Sequence, residues 1–258
     1  MGMTNLSRRV AFLDEMRGLC ILLMIFYHGA YDVVFIFGVD FKAFFSPAFQ
    51  ALQLFIACSF VFIAGISSRY SRSNITRGAK VFAVALAMTA TTFFAMRDQL
   101  VAFGVLHMLG ICMLLHGLVF RNESTKISNF AGMLACLFLF AFTWGISDGY
   151  VGFFELIKIK LPTFLYQTSF LFPIGFRNAA FYSSDYFPLL PWAFLFFAGS
   201  FLGVAFRQGE MPEFFYNRHV GFLRVLGKHA LVIYILHQPL LYALLSVVFM
   251  LIKYFEML

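Results

Sequence analysis

Seven times along its 258 residues the chain runs through roughly 20 predominantly apolar residues, the length a helix needs to cross a bilayer. Hydrocarbon offers no partner to a peptide N–H or C=O, so each such segment must satisfy its backbone within itself, as an α-helix does. The rest of the composition agrees: 62% of residues are hydrophobic and 12% are charged, against about 25% charged in soluble domains. The sequence therefore predicts an all-α, polytopic integral membrane protein, a single domain over 1–258 with about seven transmembrane helices in one bundle. A soluble core is excluded.

The expected spans are Gly18 to Phe37, Phe49 to Ser67, Ala79 to Met96, Leu100 to Phe120, Phe130 to Ser147, Phe187 to Phe206 and Ala230 to Ile252. Residues 161–176, LPTFLYQTSFLFPIGF, are apolar but short and interrupted by Pro162, Gln167, Pro173 and Gly175. That pattern reads as a re-entrant or surface-lying segment, with an eighth span as the alternative. Lys and Arg in short loops stay on the cytoplasmic side. Seven spans with a cytoplasmic N-terminus put thirteen of the nineteen basic residues inside, Arg8, Arg9, Arg121 and Lys126 among them; eight spans would put only eleven there. Seven spans and a cytoplasmic N-terminus are the better fit.

The same distribution accounts for much of the net charge of +7. It is a topology signal and a contact for anionic lipid, so nucleic acid is not an expected partner. Basic residues before the first apolar run resemble a signal peptide. The run continues for about 20 residues with no small-residue cleavage site, and so reads as a retained span. Cys20, Cys58, Cys112 and Cys136 all lie in apolar runs without metal-ligand spacing. They read as small hydrophobes, with neither a disulfide framework nor a metal site expected.

Against this background the polar groups inside the spans stand out, because each costs free energy in hydrocarbon and is a functional-site hypothesis by default. His28, His107 and His237 each lie nine to eleven residues from the nearest flanking basic residue, which at 1.5 Å per residue places them roughly 13–16 Å deep. One such histidine reads equally well as a satisfied core residue. Three at one depth point to a shared polar cavity. Asp32 is four residues after His28, on the same helix face, and is expected to orient that imidazole as part of a His/Asp general base. His116, His219 and His229 read as interfacial or helix-terminal and receive no chemistry. Pro239, two residues after His237, either breaks the backbone ladder beside the cavity or is an ordinary kink.

Two further constellations have both a plain and a functional reading. In SSDYFPLLPW, Asp185 reads either as the N-terminal cap of the span that follows or, with Tyr186, as an acceptor-binding group at the outer mouth of the cavity. In GISSRYSRSNITRGAK, Arg69 and Arg72, with Arg17 nearby, read either as positive-inside charge or as a patch for a polyanionic cytosolic donor, whose phosphates Arg binds bidentately.

Taken together, LDEMRGLCILLMIFYH, FVFIAGISSRYSR, FGVLHMLGIC, DYFPLLPW and LGKHALVIYILHQPLL, five ordered motifs between Leu13 and about Leu241, resemble the family named for the catalytic domain of heparan-alpha-glucosaminide N-acetyltransferase, in a short bacterial-type form. The opening D-x-x-R-G with a later His and the closing Y-x-x-H-x-P also resemble type 3 membrane acyltransferases. The resemblance implies a membrane acyltransferase, placed in a bacterial inner membrane, with acetyl-CoA as donor and no metal. It would pass an acetyl group from the cytosol to an amine or hydroxyl of a sugar-like or glycan acceptor on the far face. By motif position, Arg17, Arg69 and Arg72 would serve the coenzyme A end. His28 would be the base or acyl carrier. In a transfer at the shared midplane cavity, His107 and His237 are expected to polarise the thioester carbonyl. The alternative that the residues leave open is a proton-coupled transporter or exporter with a midplane His/Asp relay. Oligomeric state is not expressed in the sequence.

Overall fold

In the computed structural model, residues 10–120, 129–153 and 156–256 are described; Arg8, Arg9, Arg121 and Lys126, counted above for orientation, lie outside them. Eight α-helices are found among the described residues: α1 (Ala11–Phe35), α2 (Pro47–Ser68), α3 (Asn74–Ala95), α4 (Val105–Val119), α5 (Asn129–Phe142), α6 (Leu189–Gln208), α7 (Gly221–Lys228) and α8 (Ala230–Glu256). Six are long and apolar enough to cross a membrane: α1, α2, α3, α5 with the 3₁₀ turn that extends it to Asp148, α6 and α8. α4 is shorter and apolar. The chain is thus an integral membrane protein of helical, polytopic architecture.

Two helix starts differ from the expected spans. α3 begins at Asn74, five residues before Ala79, because the Ser73 hydroxyl caps it by accepting the Thr76 N–H at 3.2 Å. α4 begins at Val105 and not at Leu100, because two of its first N–H groups are met by side chains: Gly104 N donates to His107 Nδ1 at 3.1 Å and Val105 N to Asp185 Oδ2 at 3.1 Å. Its 15 residues span only about 22 Å. Residues 161–176 hold a 3₁₀ turn, Thr163–Tyr166, and no α-helix; before them lies an antiparallel hairpin, β1 (Tyr150–Phe153) with β2 (Ile157–Lys160).

The chain divides into two compact units. The first, residues 61–210, contains the C-terminal part of α2, α3 to α6 and the hairpin. Here α3 packs on α4, and α6 on both α4 and α5. α2 crosses α6 at glycines: a Cβ on Gly65 would collide with the Phe196 carbonyl, and one on Gly199 with the Phe62 carbonyl. Small residues at such a crossing let backbones approach without a large hydrophobic drive between helices in lipid. The stretch before α6 runs beside the stretch before α4, with Ser184 N to Leu100 O at 2.8 Å and Phe187 N to Phe103 O at 3.0 Å.

The second unit, residues 10–60 and 211–256 of those described, contains α1, the N-terminal part of α2, α7 and α8. Its core gathers Ile21, Met24, Ile56 and Ala230, with Tyr27, Phe60 and Tyr234 packed against them. Phe44 is buried under a ring cluster with Tyr27, Tyr31, Phe35 and Phe49. Such edge-to-face and offset contacts occupy much of the chain's Phe content in packing. Glu15, on α1, is buried and accepts the N–H groups of His219 (2.8 Å) and Val220 (3.1 Å), capping α7 with a carboxylate at its positive end.

Candidate functional site

The polar groups of α1 and α8 meet in pairs. The ring of His28 lies against that of His237, centroids 4.9 Å apart at 63°. Asp32, wholly buried, accepts a 2.7 Å hydrogen bond at Oδ1 from Gln238 Nε2. His28 and Asp32 are one turn apart on α1 while His237 and Gln238 are neighbours on α8, so the two contacts form one zone between the helices. The carboxylate expected to orient His28 has Gln238 as its partner, and His28 has His237.

Hydrogen-bond direction assigns the tautomer of His237. Its Nδ1 lies 2.6 Å from the Tyr234 carbonyl oxygen; a carbonyl only accepts, so Nδ1 carries the proton and, in the neutral ring, Nε2 holds the lone pair. Nε2 is enclosed and has no partner among the described residues. Asp32 Oδ2 and Gln238 Oε1 are enclosed and unpartnered in the same way. All three can accept a hydrogen bond, and a buried acceptor left unpaired costs about 1–3 kcal/mol. α8 continues through Pro239, whose missing N–H removes the helical donor for the Ile235 carbonyl.

In the other unit, His107 is fully engaged. Nδ1 accepts from Gly104 N at 3.1 Å, which puts the ring proton on Nε2; Nε2 then donates to Thr89 Oγ1 at 3.1 Å, and that hydroxyl donates to the Val101 carbonyl at 2.6 Å. Asp185 binds the start of α4 through Oδ2, so it caps a helix other than the one it precedes. Tyr186 donates to the Phe172 carbonyl at 2.6 Å. Burial pushes the Tyr186 phenol up to about 12, with a hydrogen bond from Ser147 and the charge of Arg177 opposing the rise.

The three arginines are held differently. Arg17 pairs with Asp14 at 2.8 Å. Arg69 is half-buried, its Nε donating to the Ser200 carbonyl at 3.0 Å and its guanidinium 4.2 Å from the centre of the Phe120 ring. Arg72 is exposed. The sequence reading passed over Gln238, which sits in HQPLL beside His237, and Glu15; an amide next to a midplane His and a carboxylate beside Asp14 were the available signals.

The family model described as "Heparan-alpha-glucosaminide N-acetyltransferase, catalytic" matches residues 9–239. No curated protein and no solved structure matches the chain.

Proposed function

The chain belongs to the heparan-alpha-glucosaminide N-acetyltransferase catalytic family, and from that premise we propose that it moves an acetyl group from cytosolic acetyl-CoA to an amine or hydroxyl of a sugar-like acceptor across the membrane. Acetyltransferase activity in general follows from the family; the donor, the acceptor and the residues are the proposal. The observation that carries it is the set of three enclosed acceptor atoms, His237 Nε2, Asp32 Oδ2 and Gln238 Oε1, without partners among the described residues. A substrate bearing N–H or O–H groups satisfies them; an apolar one does not.

In the proposed mechanism His237 Nε2 removes a proton from the acceptor nitrogen or oxygen. The freed lone pair attacks the thioester carbonyl carbon, the C–S bond breaks, and the proton passes to sulfur so that coenzyme A leaves as the thiol. The Tyr234 carbonyl keeps the ring in the reactive tautomer, as a second partner does for catalytic histidines generally. His28, ring against ring with His237, is the second imidazole of the site and the place where an acyl-imidazole would form if transfer went in two steps. Arg69 and Arg72 take the donor's phosphates. His107 spends both nitrogens on α4 and Thr89, so it holds the start of α4 and moves no proton.

The test is transfer from radiolabelled acetyl-CoA to a panel of amino sugars and polyols by the purified full chain in liposomes. His237→Ala is expected to lower the rate about 10²- to 10⁴-fold, the usual weight of general-base catalysis, and His28→Ala to lower it as well. Undiminished transfer in His237→Ala would remove the base. Proton-coupled solute flux with no acetylated product would replace the enzyme reading with a transporter.

A further inference from the structure

His116, which the mechanism does not use, is buried in the first unit between polar partners on two other helices, α3 and α6. Asn74 Nδ2 lies 2.8 Å from the Ser68 carbonyl and 2.9 Å from His116 Nδ1. The carbonyl can only accept, so the amide nitrogen donates to it and gives its second hydrogen to Nδ1, which is therefore the ring's acceptor. The ring proton sits on Nε2 and donates to Ser200 Oγ at 2.8 Å. A serine, a histidine and an asparagine in line resemble a nucleophile with its base, but here the imidazole donates to the hydroxyl and has no lone pair to take its proton. Ser200 is also wholly buried. The chain of bonds leads elsewhere.

Ser200 is one of the groups that hold Arg69, whose Nε donates to its carbonyl at 3.0 Å. Phe120 is another, under the guanidinium at 4.2 Å, and the His116 ring lies 4.9 Å from that of Phe120. One imidazole thus contacts two residues that hold one guanidinium: the hydroxyl of Ser200, whose carbonyl takes Arg69 Nε, and the ring of Phe120. Gly203 makes room for the stem, since a Cβ there would sit 3.0 Å from Arg69 Cγ. Arginine recognises phosphate through a planar fork whose orientation matters, and a half-buried arginine stacked on an aromatic ring has that orientation set in advance.

We infer that His116, through Ser200 and Phe120, is a positioning residue that fixes the attitude of Arg69 for a phosphate-bearing ligand. The inference rests on the donor-side reading of Arg69, under which the ligand is acetyl-CoA. Asn74 completes the device by fixing the tautomer, and Gln is the replacement for His116 that keeps one acceptor and one donor at the end of the side chain.

Acetyl-CoA binding and the reactivity of Arg69 toward phenylglyoxal, read by peptide mass spectrometry, test it on the purified full chain. His116→Leu is expected to weaken acetyl-CoA binding roughly fivefold to tenfold, as for one loosened hydrogen bond, and to speed Arg69 modification severalfold. His116→Gln should restore both, and His116→Leu added to Arg69→Ala should weaken binding no further. If Arg69→Ala leaves acetyl-CoA binding unchanged, the donor reading of Arg69 falls, and the link is then judged on reactivity alone. Arg69 modification at the wild-type rate in His116→Leu overturns it. Should that variant fail to fold, Ser200→Ala, which removes only the Oγ link, carries the same expectation: faster modification supports the inference and an unchanged rate overturns it.

Discussion

At the scale of single residues, partners decide roles. His28, His107 and His237 are alike in sequence context, yet His107 has both nitrogens committed while His237 keeps Nε2 open and enclosed. Gln238, which carries no charge to mark it in the sequence, donates a 2.7 Å hydrogen bond to Asp32. Gln238→Leu should therefore cost about 1–3 kcal/mol by leaving a buried carboxylate oxygen unpaired. The check is thermal denaturation in detergent, and an unchanged midpoint would mean that Asp32 does not depend on the amide. Tyr186 offers a pH prediction. Burial raises its phenol from 10.0 to about 12, so the neutral form is favoured in the fold. Its contribution to stability is fully present below pH 10 and is lost as pH rises through about 12. The phenolate absorbance difference between the wild type and Tyr186→Phe should titrate near the higher value; a transition at the ordinary value would show the hydroxyl to be in water.

At the scale of elements, close approach and capping shape the helices as much as hydrophobicity does. Gly199 and Gly203 are four residues apart on α6 and face the backbone of α2 at Phe62 and Ile66. That spacing is the small-residue pattern of membrane helix crossings, and the sequence carried it in GSFLG. Gly203→Leu is expected to force the helices apart, with an overpacking penalty of about 1–3 kcal/mol or more. Loss of the monodisperse peak on size-exclusion chromatography after mild heating would report this, whereas wild-type behaviour would mean that the crossing tolerates a side chain. α4 illustrates the opposite case. Its apolar run extends back to Leu100, but side chains from His107 and Asp185 take its first N–H groups and start the helix at Val105. Hydropathy alone has no access to a cap supplied from 80 residues away.

At the scale of the whole molecule, the alternation of apolar runs with basic loops predicts orientation as well as helix content. With the N-terminus inside and seven crossings, a cysteine introduced at Ser73 should be labelled by an impermeant thiol reagent only after the cells are opened, and one at Lys158 in intact cells. Equal labelling of Ser73 in intact cells would reverse the orientation. What the sequence determined by itself is the helical membrane architecture, because hydrocarbon leaves the backbone few choices and apolar length is written locally. It also marked most of the polar residues at issue, because charge and imidazole in an apolar run are conspicuous wherever they fall. What only the tertiary structure decided is which of them pair: His28 with His237, Asp32 with Gln238, Asp185 with α4, and His116 with the anchors of Arg69. Hydrogen bonds reach about 3 Å and here join residues as far as 206 positions apart, so direction and tautomer exist only once the helices have packed.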